Sequence, residues 1–423
     1  MKDAPSSAPA GREERRALLA AAAGCFCLLC GYYMLRPIRD SLITEVGVRY
    51  NSVLFTGVLV CSAALLPVYW WLVGRTPRGR MLWFGCIAFV VVFLALAPAL
   101  GSHPRPRGAI VVYFLWITTA NMFIVSLFWS AMADVWRPEL AKRFYGYVAA
   151  GGTTGALLGS FVVTMFIGRI GFTALIVIAC ALVLLTPPFV SMARNHLRHG
   201  ATGALVPDAA IPVGGRALDD LARLARTPYL LGIAGLIIAG QTIGAFMYNE
   251  QGKYLTEAYA AGAERTAVFA NLELAVNLLS VFFQAVVVTW LTRIGNVALS
   301  LSAMPVLLGA SFIALALFPL GGVFLFTQVL RRAADYGLGK PSREMLFTVL
   351  NPESKFKSKS LIDTVLQRGS DTAAQWLYLL IKGAGLVGIA WICAGLCIAL
   401  LAATRRLGKA FDTRQRTETA STT

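Results

Sequence analysis

Apolar runs of roughly 20 residues alternate with short polar, mostly basic stretches from one end of the chain to the other. They predict twelve membrane-spanning helices, at about 17–38, 52–73, 81–99, 109–134, 144–167, 171–193, 229–250, 266–290, 297–319, 322–336, 359–381 and 384–403. A helix rising 1.5 Å per residue crosses a ~30 Å hydrocarbon core in about 20 residues and satisfies its own backbone hydrogen bonds there. The longest polar stretch, residues 194–226, divides the spans six and six. The chain therefore reads as an N-terminal half (1–193), a cytoplasmic linker (194–228), a C-terminal half (229–404) and a cytoplasmic tail (405–423). The linker ends in ALDDLARLAR, a short amphipathic segment suited to the membrane surface.

Composition agrees with this pattern. Of 423 residues, 57% are hydrophobic and 14% charged, where a soluble protein carries about a quarter charged. No soluble domain stands out. The net charge of +17 raises the question of nucleic-acid binding, but its distribution answers it. Most lysines and arginines fall in the termini and the even-numbered loops, which places both termini in the cytoplasm and marks the charge as a topology signal. Attraction to anionic lipid follows from it. The first apolar run continues past Gly31 without a clear cleavage site, so it reads as an uncleaved span. No Arg- and Ser-rich presequence precedes it, which favours a bacterial inner membrane. The eight cysteines lie in apolar runs and the three histidines in loops, so no metal constellation or cofactor is expected.

Two six-helix halves joined by a cytoplasmic linker match the major-facilitator plan, an all-α polytopic architecture with a substrate site expected between the halves. The halves echo each other. YMLRPIRDSLITE ends the first span and MYNEQGKYLTE the seventh, which aligns Arg36 with Glu250 and Arg39 with Lys253. Each pair is spaced i, i+3, and ionisable groups so close to hydrocarbon persist mainly where they pair or line a polar path. Arg36 and Arg39 with Asp40 beside them suggest an anion clamp, because guanidinium binds phosphate or carboxylate bidentately. Snorkelling to headgroups is the simpler alternative. Glu250 suits a gate partner for Arg36 or Arg39, or a proton carrier.

Further charges crowd the cytoplasmic ends. Asp134, Glu139 and Lys142 (ADVWRPELAKRFYG) and their counterpart Asp335 (RRAADYGLGKPSREM) suit either topology or an inner gate. Arg331 and Arg332 are harder to assign to topology. Asp363, Arg368 and Asp371 are spaced for a polar stripe on the eleventh span. Gly151, Gly155 and Gly159 form a small-xxx-small ladder, read as helix packing. GLGKPS looks like the tail of a phosphate loop, but Ala334 stands where the upstream glycine belongs, so neither ATP hydrolysis nor enzymatic activity is expected.

Three blocks resemble the ATP:ADP antiporter family, the nucleotide translocases of plastids and obligate intracellular bacteria. YYMLRPIRDSLIT is similar to the family's Leu-Arg…Lys-Asp-Ser-Leu signature. SLFWSAMADVWRPELAKRFYGYVAAGG is similar to its Phe-Trp…Glu-Ala-Lys-Arg-Phe-Tyr block. ADYGLGKPSREMLFTVLNPESKFKSKSLIDTV is similar to its Lys-Glu-Met…Lys-Gly-Lys-Ala-Ala-Ile-Asp block. The resemblance places the family's first-helix lysine on Arg39, its acidic residue before Ala-Lys-Arg on Glu139, its seventh-helix glutamate on Glu250 and its lysine before Glu-Met on Arg343. Both lysines are arginine here, and the Lys-Tyr-Ser-Leu motif has become Asp335-Tyr-Gly-Leu.

Together these features lead to the expectation of a secondary transporter, a monomer in the bilayer, exchanging nucleotides or a related phosphorylated anion. The expected substrate contacts are Arg36, Arg39, Glu139, Glu250 and Arg343. Asp134, Lys142, Lys253, Asp335 and Asp363 are the expected gate or coupling groups. A proton-coupled exporter of drug-like or other small solutes is the alternative.

Overall fold

The computed structural model describes residues 12–73, 75–76, 78–136, 138–200, 227–294, 297–346 and 366–422. Among them there is no strand; helices follow one another through short turns. Most of the 194–228 linker, including its amphipathic segment, lies outside the described residues, as do Lys355, Lys357, Lys359 and Asp363.

Each expected span has a helical counterpart among the described residues, in most cases longer than the apolar run that predicts it. The first is Arg12–Val46, the second Asn51–Val73, the third Arg78–Gly101 and the fourth Arg107–Val135. The fifth and sixth form one continuous stretch, Pro138–Gly200, bent at Gly171 where φ is 74°. As a straight rod its 63 residues would reach about 95 Å, three times the hydrocarbon thickness. Contacts prove that it doubles back. Gly151, Gly155 and Gly159 approach Ala22, Phe26 and Cys30 in ascending order, so the fifth span runs parallel to the first. Beyond Gly171 the order reverses: Ala179 and Val183 meet Gly31, whereas Thr186 and Phe189 meet Gly24. Only a residue without Cβ adopts this left-handed bend freely.

The C-terminal spans repeat this arrangement. The seventh is Pro228–Ala258. The eighth begins as Ala263–Phe282 and continues through a π-helical turn, Phe283–Val288, into Thr289–Ile294. The ninth is Val297–Leu317. The tenth was expected to stop near residue 336, but it runs from Gly321–Ala334 through a second π turn, Asp335–Gly339, into Lys340–Leu346. Its charges misplace the end, because Arg331, Arg332 and Asp335 look terminal in the sequence and are internal to the helix. The described part of the eleventh span, Gln367–Ile381, meets the twelfth, Gly385–Thr422, at Gly385 with φ 64°. The twelfth span antiparallels the ninth, with Ala298 at Gly408, Ser302 at Thr404 and Gly309 at Cys397.

Two compact units result. One comprises Met1–Val46, Val60–Ala210 and Ala261–Asn271, the other Gly47–Leu59, Ile211–Ala260 and Leu272–Thr423. In the first, Phe89, Phe93, Tyr113 and Phe128 fill an apolar interior. The second distributes polarity the other way round from a soluble protein. Asn249, Gln251, Glu273, Gln328 and Gln375 are buried, whereas Leu380 is 82% exposed. Lipid tails accept Leu380 as readily as a protein core does, so apolar side chains have no reason to turn inward and polar ones do.

Candidate functional site

In the first unit, the last turns of the first span carry the guanidinium groups. Arg39 donates from Nε and Nη2 to Asp40 Oδ1, at 2.9 and 2.7 Å, and from Nη1 to Thr118 Oγ1 at 3.4 Å. Thr118 directs its own hydrogen to the Phe114 carbonyl, so its oxygen lone pairs are free to accept from Arg39. The Arg39 guanidinium also lies 5.7 Å from the Phe114 ring centroid, and Arg36 lies 5.6 Å from that of Tyr33. Tyr113, hydrogen-bonded to the Leu35 carbonyl, closes the apolar side of this group. A fork held by one carboxylate and backed by aromatic faces keeps a fixed direction, which a lone lysine would not.

The second unit centres on the consecutive triad Asn249, Glu250 and Gln251 of the seventh span. All three are buried, and the 100° step between helical residues sends them to different neighbours. Asn249 accepts from Asn51 at 2.9 Å and donates to Gln375 at 2.6 Å, linking the start of the second span to the middle of the eleventh. Glu250, 4% exposed, accepts the Tyr378 hydroxyl hydrogen at 2.6 Å. Gln251 accepts from Gln328 of the tenth span. Thr372 donates to the Phe55 carbonyl, and Trp376 to Thr56 Oγ1 at 3.0 Å, so the second span's first turns are tied to the eleventh at three points.

The two adjacent arginines of the tenth span differ sharply. Arg332 forms a buried ion pair with Glu273 of the eighth span. Arg331 donates from Nε to Gln328 Oε1 at 3.0 Å, and among the described residues no carboxylate lies within ion-pair distance of it.

Of the expected site residues, Arg36, Arg39 and Glu250 occupy these two polar groups. Lys253 does not share the environment of Glu250: three residues along, it has turned outward and is exposed. Arg343 and Asp335 are half-buried on the continuation of the tenth span. Asp134 ends the fourth span, and Glu139 and Lys142 open the fifth; their side chains lie outside the described residues. Tyr378, Gln328, Gln375, Asn51 and Glu273 were not singled out in the sequence. A signal existed for some of them, since Asn249-Glu250-Gln251 interrupts an apolar run and Glu273 stands alone in another. Among the described residues no group of three His, Cys, Asp or Glu is placed to hold a metal ion. Cys25, Cys27 and Cys30 are buried free thiols in one helix.

The sequence profile of the family described as "Sugar (and other) transporter" matches residues 8–192. No curated protein sequence matches the chain. Solved structures match along nearly the whole length. A POT family transporter in complex with a thioalcohol conjugated peptide is 11% identical, with a TM-score of 0.65 over 94% of this chain and 96% of that one. The peptide transporter POT in complex with sulfate is 14% identical, with a TM-score of 0.64 over 93% and 95%. A bacterial homolog of the human lysosomal transporter Spinster, inward-facing and unoccupied, is 13% identical, with a TM-score of 0.57 over 96% and 95%. The chain has an all-α, polytopic membrane fold of major-facilitator type.

Proposed function

We propose that this protein is a secondary transporter that carries small anionic solutes across a bacterial inner membrane by alternating access, with both termini in the cytoplasm. The observation that carries this reading is the placement of guanidinium groups inside an apolar helical frame of major-facilitator type. Arg39 is held by Asp40 and Thr118 against Phe114, and Arg331 is braced by Gln328. Retaining such charges near hydrocarbon costs several kcal/mol each, a cost that a solute-binding role accounts for. Nucleotides, or a related phosphorylated anion, are the substrates implied by the sequence blocks shared with the ATP:ADP antiporter family. That choice rests on those blocks alone.

A proton-coupled exporter of small solutes is the second reading, favoured by Glu250. This buried carboxylate has the Tyr378 hydroxyl as its partner, with no cation at ion-pair distance among the described residues. A proton would neutralise it at little structural cost. Purified protein in liposomes separates the two readings. Uptake of labelled ATP, phosphate or succinate against an internal anion, without a pH gradient, supports anion exchange. Flux that requires a proton gradient and disappears in Glu250→Gln supports the second reading. Absence of flux under both conditions overturns both.

A further inference from the structure

We infer that Arg331 is an anion-receiving residue, a binding site for an oxyanion group (phosphate or carboxylate) on the face that the tenth span turns to the seventh. The inference deepens the anion-transport reading and rests on it. Its basis is the contrast between neighbours in sequence. Arg332 is neutralised by Glu273, whereas Arg331 has no carboxylate within ion-pair distance among the described residues. Asp335, one turn further along, attracts it from beyond ion-pair distance. A guanidinium half-buried in an apolar bundle, with no carboxylate at ion-pair distance among the described residues, is expensive.

The surroundings fix its direction. Gln328 donates to the Met247 carbonyl and to Gln251 Oε1; because that carbonyl can only accept, the Gln328 amide nitrogen faces the seventh span. Its oxygen is thereby turned to Arg331, where it takes the Nε hydrogen. The guanidinium lies over Gly244, where a Cβ would stand 3.4 Å from Nη1, at ordinary contact distance. Nε is thus consumed by the brace, and among the described residues the Nη groups have no hydrogen-bond partner. A planar donor pair locked at its base matches the bidentate geometry of a phosphate or carboxylate. The π turn Asp335–Gly339, which begins four residues later, is of a kind that recurs at functional sites.

The test uses thermal-shift titrations of purified full-length protein with ATP, inorganic phosphate and succinate at constant ionic strength. The expected result is a saturable stabilisation by at least one of the three in wild type. Arg331→Gln should weaken that binding by at least about tenfold, the scale of one charge-assisted bond, and Arg331→Lys by less. Without ligand, Arg331→Gln should melt at or above the wild-type temperature, because it deletes a half-buried charge that no carboxylate contacts at ion-pair distance. Arg332→Gln should melt lower, because it removes the ion-pair partner of the buried Glu273. A purely structural Arg331 would give the opposite sign in the ligand-free protein. Unchanged affinity in Arg331→Gln, or no binding of any probe to wild type, overturns the assignment. Should Arg331→Gln fail to fold, equal affinity in Arg331→Lys would overturn it as well. Liposome flux separates this from the broader reading: Arg331-dependent binding without flux removes transport and keeps the site, whereas flux unchanged by Arg331→Gln does the reverse.

Discussion

Tyr378 gives its phenolic hydrogen to Glu250 across 2.6 Å, and both side chains are buried between the seventh and eleventh spans. Removing the donor leaves a buried carboxylate without its hydrogen bond. Tyr378→Phe is therefore expected to destabilise the protein by about 1–3 kcal/mol. Glu250→Gln keeps an acceptor for Tyr378 and removes the charge, so it should cost less or nothing. Melting curves of both variants in one detergent check the order; a Tyr378→Phe variant as stable as wild type would remove the bond from the account.

Close packing of the first and fifth spans yields a second expectation. A Cβ on Gly155 would lie 2.3 Å from the Phe26 carbonyl oxygen, and one on Gly159 2.4 Å from that of Cys30. Backbone cannot yield as a side chain can, so Gly155→Ala should cost about 1–3 kcal/mol through forced separation of the helices. Gly146→Ala, on the same helix with nothing within 4 Å, is the control and should be neutral or slightly stabilising. Equal melting temperatures for the two variants would contradict the packing.

The Glu273–Arg332 pair is a test of a buried ion pair in an apolar bundle. Breaking either side alone should destabilise by about 3–5 kcal/mol, because the remaining buried charge loses its ion-pair partner. Glu273→Gln combined with Arg332→Gln leaves two neutral amides and should recover most of that loss. A double-mutant cycle on melting temperature reads the coupling, and strictly additive losses would argue against it.

Arg39 and Arg343 are the positions onto which the resemblance carries the antiporter family's lysines. Arg39→Gln and Arg343→Gln should each weaken binding of ATP or phosphate by at least about tenfold, with Arg→Lys losing less. Arg39→Gln also leaves Asp40 without its fork, so its ligand-free melting temperature should fall, unlike that of Arg331→Gln. Titration of the purified variants is the measurement. Unaltered affinity in both Gln variants would assign these side chains to topology.

Orientation is checked independently of the site. A reporter active only outside the cytoplasm should stay silent when fused near Gly214 and be active when fused near His103. The reverse pattern would overturn the charge-based topology.

The apolar runs determined the helices themselves. Twenty apolar residues in lipid have no other way to satisfy their backbone, so the number and order of the spans could be read without a structure. The breaks between the fifth and sixth and between the eleventh and twelfth spans were legible in the same way, but only the structure puts the positive-φ bends at Gly171 and Gly385. The glycine ladder announced a close helix contact, although not that the first span would be the partner.

Pairing of the polar groups was decided only in three dimensions. Arg331 and Arg332 are identical in the sequence, yet the 100° step between them sends one to Glu273 and the other over Gly244. The same step separates Asn249, Glu250 and Gln251, while Lys253, nearly one turn beyond Glu250, is exposed. Hydropathy scores a residue by its transfer from water to lipid. Whether a buried charge is compensated depends on which neighbouring helix meets it, and residues such as Glu273 and Tyr378 lie 59 and 128 positions from the groups they bind.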